Sequence, residues 1–326
     1  MTTPRGMAQA ERVTPVERLT AAAYLAAWRT VRLLPTPVAD RLFRRIADTM
    51  WGRHGRGVVQ LERNLARVIG TRPDSPRVRE LSRDALRSYL RYWCETFRLP
   101  AYSPHDVSAA VVPSGEEHLR AARDVGIGVV LALPHCGNWD LAGAWLAGHD
   151  TPFTTVAERL RPASLHQAFV DYRTGLGMEV LPLDGTNGAA VFTVLAARLR
   201  DGKVVALVAD RDLTESGLEV EFFGDTARMP GGAAALSVAT GAALVPLTLW
   251  YEGPRMRLAF HVPIEQPTWG TRSERIATMT QRLADTFADS IAAHPADWHM
   301  LQRIWPGDAR LRHVASAGRG PRSTGP

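Results

Sequence analysis

The chain has 326 residues, of which 45% are apolar, two cysteines and a formal net charge of +6. That apolar share is ample for a packed core and excludes global disorder. Cys94 and Cys136 cannot build a disulfide framework, and no CxxC pair offers a zinc site.

The basicity sits at the ends: residues 1–70 carry +7 and residues 307–326 carry +3, which leaves about −4 for the body. Basic ends suit a nucleic acid or an anionic membrane surface. No zinc-finger, RNA-recognition or helix-turn-helix signature is present, so no nucleic-acid partner is expected. The opening residues, MTTPRGMAQAERV, lack the apolar stretch of a secretory signal. With so few cysteines, a reducing compartment is the simplest expectation.

Residues 19–34, LTAAAYLAAWRTVRLL, repeat apolar side chains at three- and four-residue steps and predict a helix. Tyr24 and Trp28, four apart, can share an interfacial face. A second amphipathic helix follows Pro35 and Pro37. Its apolar Val38, Leu42, Phe43, Ile46 and Met50 oppose Arg41, Arg44 and Arg45. Such helices either lie in a bilayer interface or pack on the protein with arginine outward. The helical pattern runs to about residue 105. Its last helix carries Leu81, Leu86, Tyr89, Leu90, Trp93 and Phe97 on one face and stops at Pro100.

From about Val111 the pattern changes. Strands are predicted at 126–133, 153–157, 178–182, 204–209, 220–223, 243–250 and 256–261, with helices near 139–148, 163–175, 188–200 and 233–240. Residues 273–293 form a closing helix. The longest charge-free run, 231–251, is rich in small residues and contains Pro246, so it reads as a buried helix, turn and strand. This alternation predicts an α/β fold, a central sheet flanked by helices. The expected organisation is a helical N-terminal region over 1–105, an α/β core over 106–306 and a disordered basic tail over 307–326.

The strand over 126–133 ends at Pro134, followed by His135-Cys136-Gly137-Asn138-Trp139-Asp140. Ligands of open α/β sheets gather at the carboxyl ends of strands. Asn138 suits a helix N-cap, which places Asp140 in the first turn. On one helix, His135 and Asp140 would stand about 140° apart, so they meet only if His135 is on the loop and the chain bends back. Asp140 would then hold one ring nitrogen and leave the other to take a proton. The alternative is a loop histidine and an acid that serves the helix dipole. Backbone N–H groups of residues 137–139 are candidates for stabilising an oxyanion. Cys136 adjoins His135, but neighbouring side chains on an extended loop point apart, which disfavours a thiol nucleophile. Arg159, Arg161, Arg211 and Arg228 can form a phosphate-binding rim or a solvated face. Trp298, His299 and Trp305 can shape the site, but packing is the favoured reading. Glu219 and Glu221 alternate to one face of a strand and should meet solvent, as should Glu215.

LPHCGNWDLAGAWLA resembles the HxxxxD block of the glycerolipid and lipid A acyltransferase superfamily. ERLRPASLHQAFVDYRTGLGMEVLP, the stretch from VVALVADRDL to VPLTLWY, and HPADWHMLQRIWPG resemble the blocks that follow, in order. The last is similar to the signature of the lauroyl/myristoyl branch. Within it the segments look most like the phosphatidylinositol mannoside acyltransferases of actinobacteria. The resemblance covers about residues 20–307. It implies a mostly parallel mixed sheet and transfer of an acyl chain from acyl-CoA, palmitoyl-CoA above all, or from an acyl carrier protein. The implied acceptor is a mannose hydroxyl of phosphatidylinositol mannoside at the cytoplasmic membrane face. His135 matches the catalytic histidine and Asp140 its partner acid. Arg173 and Glu158 match substrate-binding positions, to which Asn138 and Arg211 are added. Asp210, a third catalytic candidate, falls where relatives carry Glu or Asp and the mannoside enzymes carry Glu. No metal, no bound cofactor and no acyl-enzyme are implied. The alternatives are another lipid acceptor (a lysophospholipid or lipid A precursor), a His/Asp thioesterase or lipid hydrolase, and a non-catalytic membrane-binding protein.

Overall fold

The computed structural model describes residues 28–158, 162–184, 186–212 and 217–307, with Thr14 and Ala26. Tyr24, Arg159, Arg161, Glu215 and the chain from 308 onward lie outside the described residues.

The β-branched runs form β1 (Val111–Ser114), β2 (Val129–Leu133), β3 (Phe153–Glu158), β4 (Glu179–Leu183), β5 (Val204–Val208), β6 (Leu218–Phe222), β7 (Asp225–Met229), β8 (Ala243–Glu252) and β9 (Arg255–Phe260). Seven of these build one sheet in the order β1-β9-β8-β2-β5-β3-β4, and β6 pairs with β7 as a separate antiparallel ribbon. Within the large sheet only β8 and β9 run antiparallel. The fold is therefore α/β with a mixed, mostly parallel sheet. β2 is buried along its whole length, as expected for a parallel strand covered on both faces.

Alternation along the strands splits the core into two layers. Val129, Leu131 and Leu133 face one layer, shared with the N-terminal helices. Val130 and Ala132 face the other, shared with α8 (Gly188–Arg200), α9 (Gly232–Thr240) and α10 (Arg272–Ala293). The helices on the first side include α1 (Thr36–Arg53), α3 (Pro76–Arg98), α6 (Trp139–Gly148) and α7 (Ala163–Gly175); between α1 and α3 runs α2 (Arg56–Val68). The charge-free run divides where expected: Gly241, at φ 75°, ends α9 in the left-handed conformation and lets β8 begin.

The amphipathic N-terminus differs from expectation. Trp28 is buried against Phe97, Phe169 and Tyr172, with its indole N–H donated to the Phe97 carbonyl. In α1 the expected apolar face divides. Phe43, with Ala39 and Ala47, turns inward, while Val38, Leu42 and Ile46 stay exposed. The small alanines let α1 approach α3, which leaves the larger side chains on the outer face. Among the described residues no helix is long and apolar enough to cross a membrane. Four elements were not predicted: β1, β7, α4 (Pro104–Ala110) and α5 (Glu116–Asp124). β1 contains Pro113 and is an edge strand, the place where a sheet tolerates proline. α5 buries only Leu119, so it carries almost no apolar period.

Candidate active site

β2 and β5 are parallel neighbours in which Leu133 and Val208 are registered partners. His135 and Asp210 each stand two residues further on, so the sheet itself delivers them to the same place. Asp210 is fully buried. Its Oδ1 lies 2.5 Å from His135 Nδ1, and its Oδ2 accepts the His135 backbone N–H at 3.0 Å. Burial opposes the Asp210 charge. His135, the Trp298 indole and the His135 backbone N–H together outweigh it and hold the carboxyl below its usual range. An ionised acid takes Nδ1–H, so Nε2 is the basic nitrogen. The Asp at position 210 is long enough because the strand ends already stand side by side.

Trp298 supplies the third hydrogen bond, from Nε1 to Asp210 Oδ2 at 3.0 Å. Its ring packs on Phe222, Phe223 and Trp305. Packing was the expected role, and the indole N–H adds a contact to the Asp210 carboxylate. The same segment grips the loop through its backbone. Trp298 bridges Cys136, His299 N–H donates to the His135 carbonyl at 2.8 Å, and Gly137 N–H donates to the Asp297 carbonyl at 3.0 Å. Gly137 has φ 56°, and a Cβ there would lie 3.0 Å from Leu249 Cβ, so the turn requires glycine. The carboxylate of Asp297 holds Ser88 of α3 at 2.5 Å and the Tyr251 N–H at 2.9 Å. Burial pushes the His299 imidazole down to about 3, with a further contribution from His135, and Ser88 Oγ lies 2.9 Å from its Nε2.

Asp140 is not the partner of His135. Its Oδ1 is 2.7 Å from Arg173 Nε, and its Oδ2 accepts the Tyr92 hydroxyl at 3.0 Å. The chain does bend at His135, but it bends towards β5, and the first turn of α6 aims Asp140 at α7 instead. Burial works against the Arg173 charge, and Asp140 more than compensates, so the guanidinium is firmly protonated. Asn138 is the N-cap as expected, with Oδ1 accepting the Leu141 N–H at 2.9 Å. It is fully buried, and its Nδ2 donates to Glu95 at 3.0 Å. Asn138 therefore positions the loop rather than meeting substrate. The expected oxyanion donors narrow as well: Gly137 N–H serves Asp297, and Asn138 N–H meets Met256 Sδ at 3.3 Å. Trp139 is the one left of the three.

Glu158 is exposed at the carboxyl end of β3, next to β5, and Arg211 follows Asp210 directly. Cys136 is buried, and burial raises its thiol well above the usual range, which suits no nucleophile. Behind the pair is an apolar cavity of about 70 Å³, lined by Leu133, Trp139, Gly143, Phe153, Met178 and Val208, with Asp140 and Arg173 at its polar side. A larger cavity, about 600 Å³, lies between α1, α3 and the β8–β9 turn, and neither His135 nor Asp210 lines it. His135 and Asp210 do not line the smaller one either, but its Leu133 and Val208 stand two residues before them, which sets it beside the pair. Trp298 was legible only through the rule that a buried indole N–H needs an acceptor. The same rule applies to the Tyr92 hydroxyl, whose acceptor the sequence did not indicate.

Residues 8–306 match the family model described as bacterial lipid A biosynthesis acyltransferase. A phosphatidylinositol mannoside acyltransferase of Mycolicibacterium smegmatis is 48% identical over 286 residues, covering 87% of this chain and 91% of that protein. One from Mycobacterium tuberculosis is 49% identical over 291 residues, covering 88% of each.

Proposed function

Because the chain belongs to the bacterial lipid A biosynthesis acyltransferase family, and is thus an acyltransferase, we propose that it moves a fatty acyl chain from acyl-CoA to a mannose hydroxyl of phosphatidylinositol mannoside. The observation that carries the mechanism is the buried Asp210 on His135 Nδ1. It orients the imidazole and stabilises the imidazolium that forms. Nε2 takes the proton of the acceptor hydroxyl as its oxygen attacks the thioester carbonyl. The tetrahedral intermediate collapses, the C–S bond breaks, and the imidazolium returns the proton to the departing thiolate. No acyl-enzyme forms. The apolar cavity beside Leu133, about 70 Å³, takes one end of the acyl chain. Glu158 and Arg211, at the neighbouring strand ends, face the sugar and the donor phosphates. Arg173 acts through Asp140.

The acceptor is supported by the names of the relatives. Association with the cytoplasmic membrane face is supported by exposed Leu33, Val38, Leu42 and Ile46, set among exposed Arg29, Arg41, Arg44 and Arg45.

The test is transfer from palmitoyl-CoA to phosphatidylinositol monomannoside or dimannoside, scored by mass spectrometry, with His135→Ala beside the unaltered chain. Acylated mannolipid from the unaltered chain alone is the expected result. Free fatty acid without acylated lipid would replace this reading with a hydrolase, and product with another acceptor alone would replace the substrate.

A further inference from the structure

Asp210 accepts three hydrogen bonds, two from His135 and one from Trp298. The last comes from a chain segment 88 residues away. We infer that Trp298 is a positioning residue for acyl transfer: its indole N–H orients Asp210 and sets how tightly the His135–Asp210 pair holds the proton taken from the acceptor. The inference rests on the general-base reading of His135 given above.

Three observations carry it. First, the indole bond goes to the catalytic carboxylate, although a buried indole is satisfied by any acceptor. Trp305, edge-on to it with ring centroids 6.2 Å apart, gives its own N–H to the Phe222 carbonyl at 3.2 Å. Second, the ring has no freedom to choose. Trp298 is fully buried and touches Phe222 and Phe223 of the β6–β7 ribbon as well as Trp305. Third, its backbone is registered on the catalytic loop: Trp298 bridges Cys136, between the bonds that join His299 to His135 and Gly137 to Asp297. The indole is thus indexed to His135 through the main chain and to Asp210 through the side chain.

A donor to a carboxylate disperses its charge. Without the Trp298 N–H, Asp210 attracts the imidazolium more strongly, and the pair retains its proton to higher pH. The other titratable groups around the pair leave this effect readable. Cys136, beside Asp210, is kept a neutral thiol by burial. His299, which faces His135 from the C-terminal segment, stays neutral down to about 3. Asp297 is buried on Ser88 and Tyr251. Asp140 and Arg173, from α6 and α7, neutralise each other.

The experiment replaces Trp298 in the full chain with β-(3-benzothienyl)alanine, which keeps the bicyclic shape and deletes the N–H. Trp305 receives the same replacement as the control. Transfer from palmitoyl-CoA to phosphatidylinositol dimannoside is followed across pH. The Trp298 analogue should lower kcat about tenfold with KM little changed, and should move the acidic limb of the profile up by about one pH unit. The Trp305 analogue should leave that limb in place. A second readout needs no turnover. The downfield proton resonance of the His135–Asp210 bond should move further downfield in Trp298→Phe and stay unchanged in Trp305→Phe. A folded Trp298 analogue with the ordinary profile and resonance, while His135→Ala is inactive, would reduce the indole to packing and leave the general-base reading intact. Full activity in His135→Ala would remove both.

Discussion

Arg173 holds Asp140 at 2.7 Å from Nε to Oδ1, with a second contact of 3.4 Å from the guanidinium to Oδ2. The acid of the HxxxxD block is therefore tied to α7, and the acid that serves His135 comes from the end of β5. The two carboxylates do different work. Asp210 holds the His135 ring and its backbone N–H. Asp140 neutralises a cation at the polar side of the apolar cavity and locks α6, α7 and Tyr92 together.

The two acids should fail differently. Asp140→Asn leaves a guanidinium that is only 17% exposed without its counter-charge, which should cost about 3–5 kcal/mol of stability. Adding Arg173→Met should restore much of that stability without restoring activity. Asp210→Asn should lower kcat by about 10²–10⁴. Denaturant midpoints and kcat for the three proteins check this. An Asp140→Asn protein as stable as the unaltered chain would show that the ion pair is not structural.

Stability should depend on His299 between neutral and acid pH. Its native imidazole is pushed down from 6.5 to about 3 by burial. Between those values the unfolded chain binds a proton that the native chain refuses, so stability rises with pH across the window. The contribution is complete above about 6.5 and is lost progressively as pH falls towards about 3. His299→Gln, which retains a group able to bond Ser88, should flatten the dependence. Melting temperatures of both proteins at pH 7.5 and pH 5 are the check, and equal slopes would contradict it.

The outer face of α1 should govern membrane binding. Leu42→Glu with Ile46→Glu replaces two exposed apolar side chains and should weaken partitioning onto anionic vesicles at least tenfold. The protein should still fold, because Phe43, Ala39 and Ala47 keep the buried face. Vesicle sedimentation at two salt concentrations measures it; unchanged binding would move the contact elsewhere.

The floor of the apolar cavity should set donor length. A Cβ on Gly143 would stand 3.0 Å from Phe153 Cζ and closer still to the Met178 methyl, a flexible end that can move. Gly143→Val should therefore favour shorter acyl donors, by about tenfold in relative kcat/KM. Met178→Ala should favour longer ones and cost about 2–4 kcal/mol. Donor competition from eight to eighteen carbons reads both effects. An unshifted preference would place the chain in another groove.

Much of the fold was legible because its period was strong. The helices over 139–148, 163–175 and 188–200 begin and end where expected. Asn138 announced its cap, and Gly241 the break before β8. β1 and α5 were missed because one is four residues long with a proline and the other, five of its nine residues charged, buries a single leucine. In the site, His135 was legible from its place after a buried strand. Asp210 was a candidate through the resemblance alone, and its pairing with His135 was not legible, since local spacing favours Asp140, five residues away, over Asp210, 75 away. Only strand order decides between them, and strand order is a property of the whole sheet. Trp298 was hidden for the same reason: burial explains a tryptophan, but the acceptor of its N–H depends on which strands end nearby.

Asp297, Trp298 and His299 reach the catalytic loop from the far end of the chain. During synthesis His135 and Asp210 leave the ribosome well before the tryptophan that steadies them. A growing polypeptide thus carries His135 and Asp210 but not the segment that clamps them. The loop that carries His135 is therefore closed only after residues 297–299 have been made.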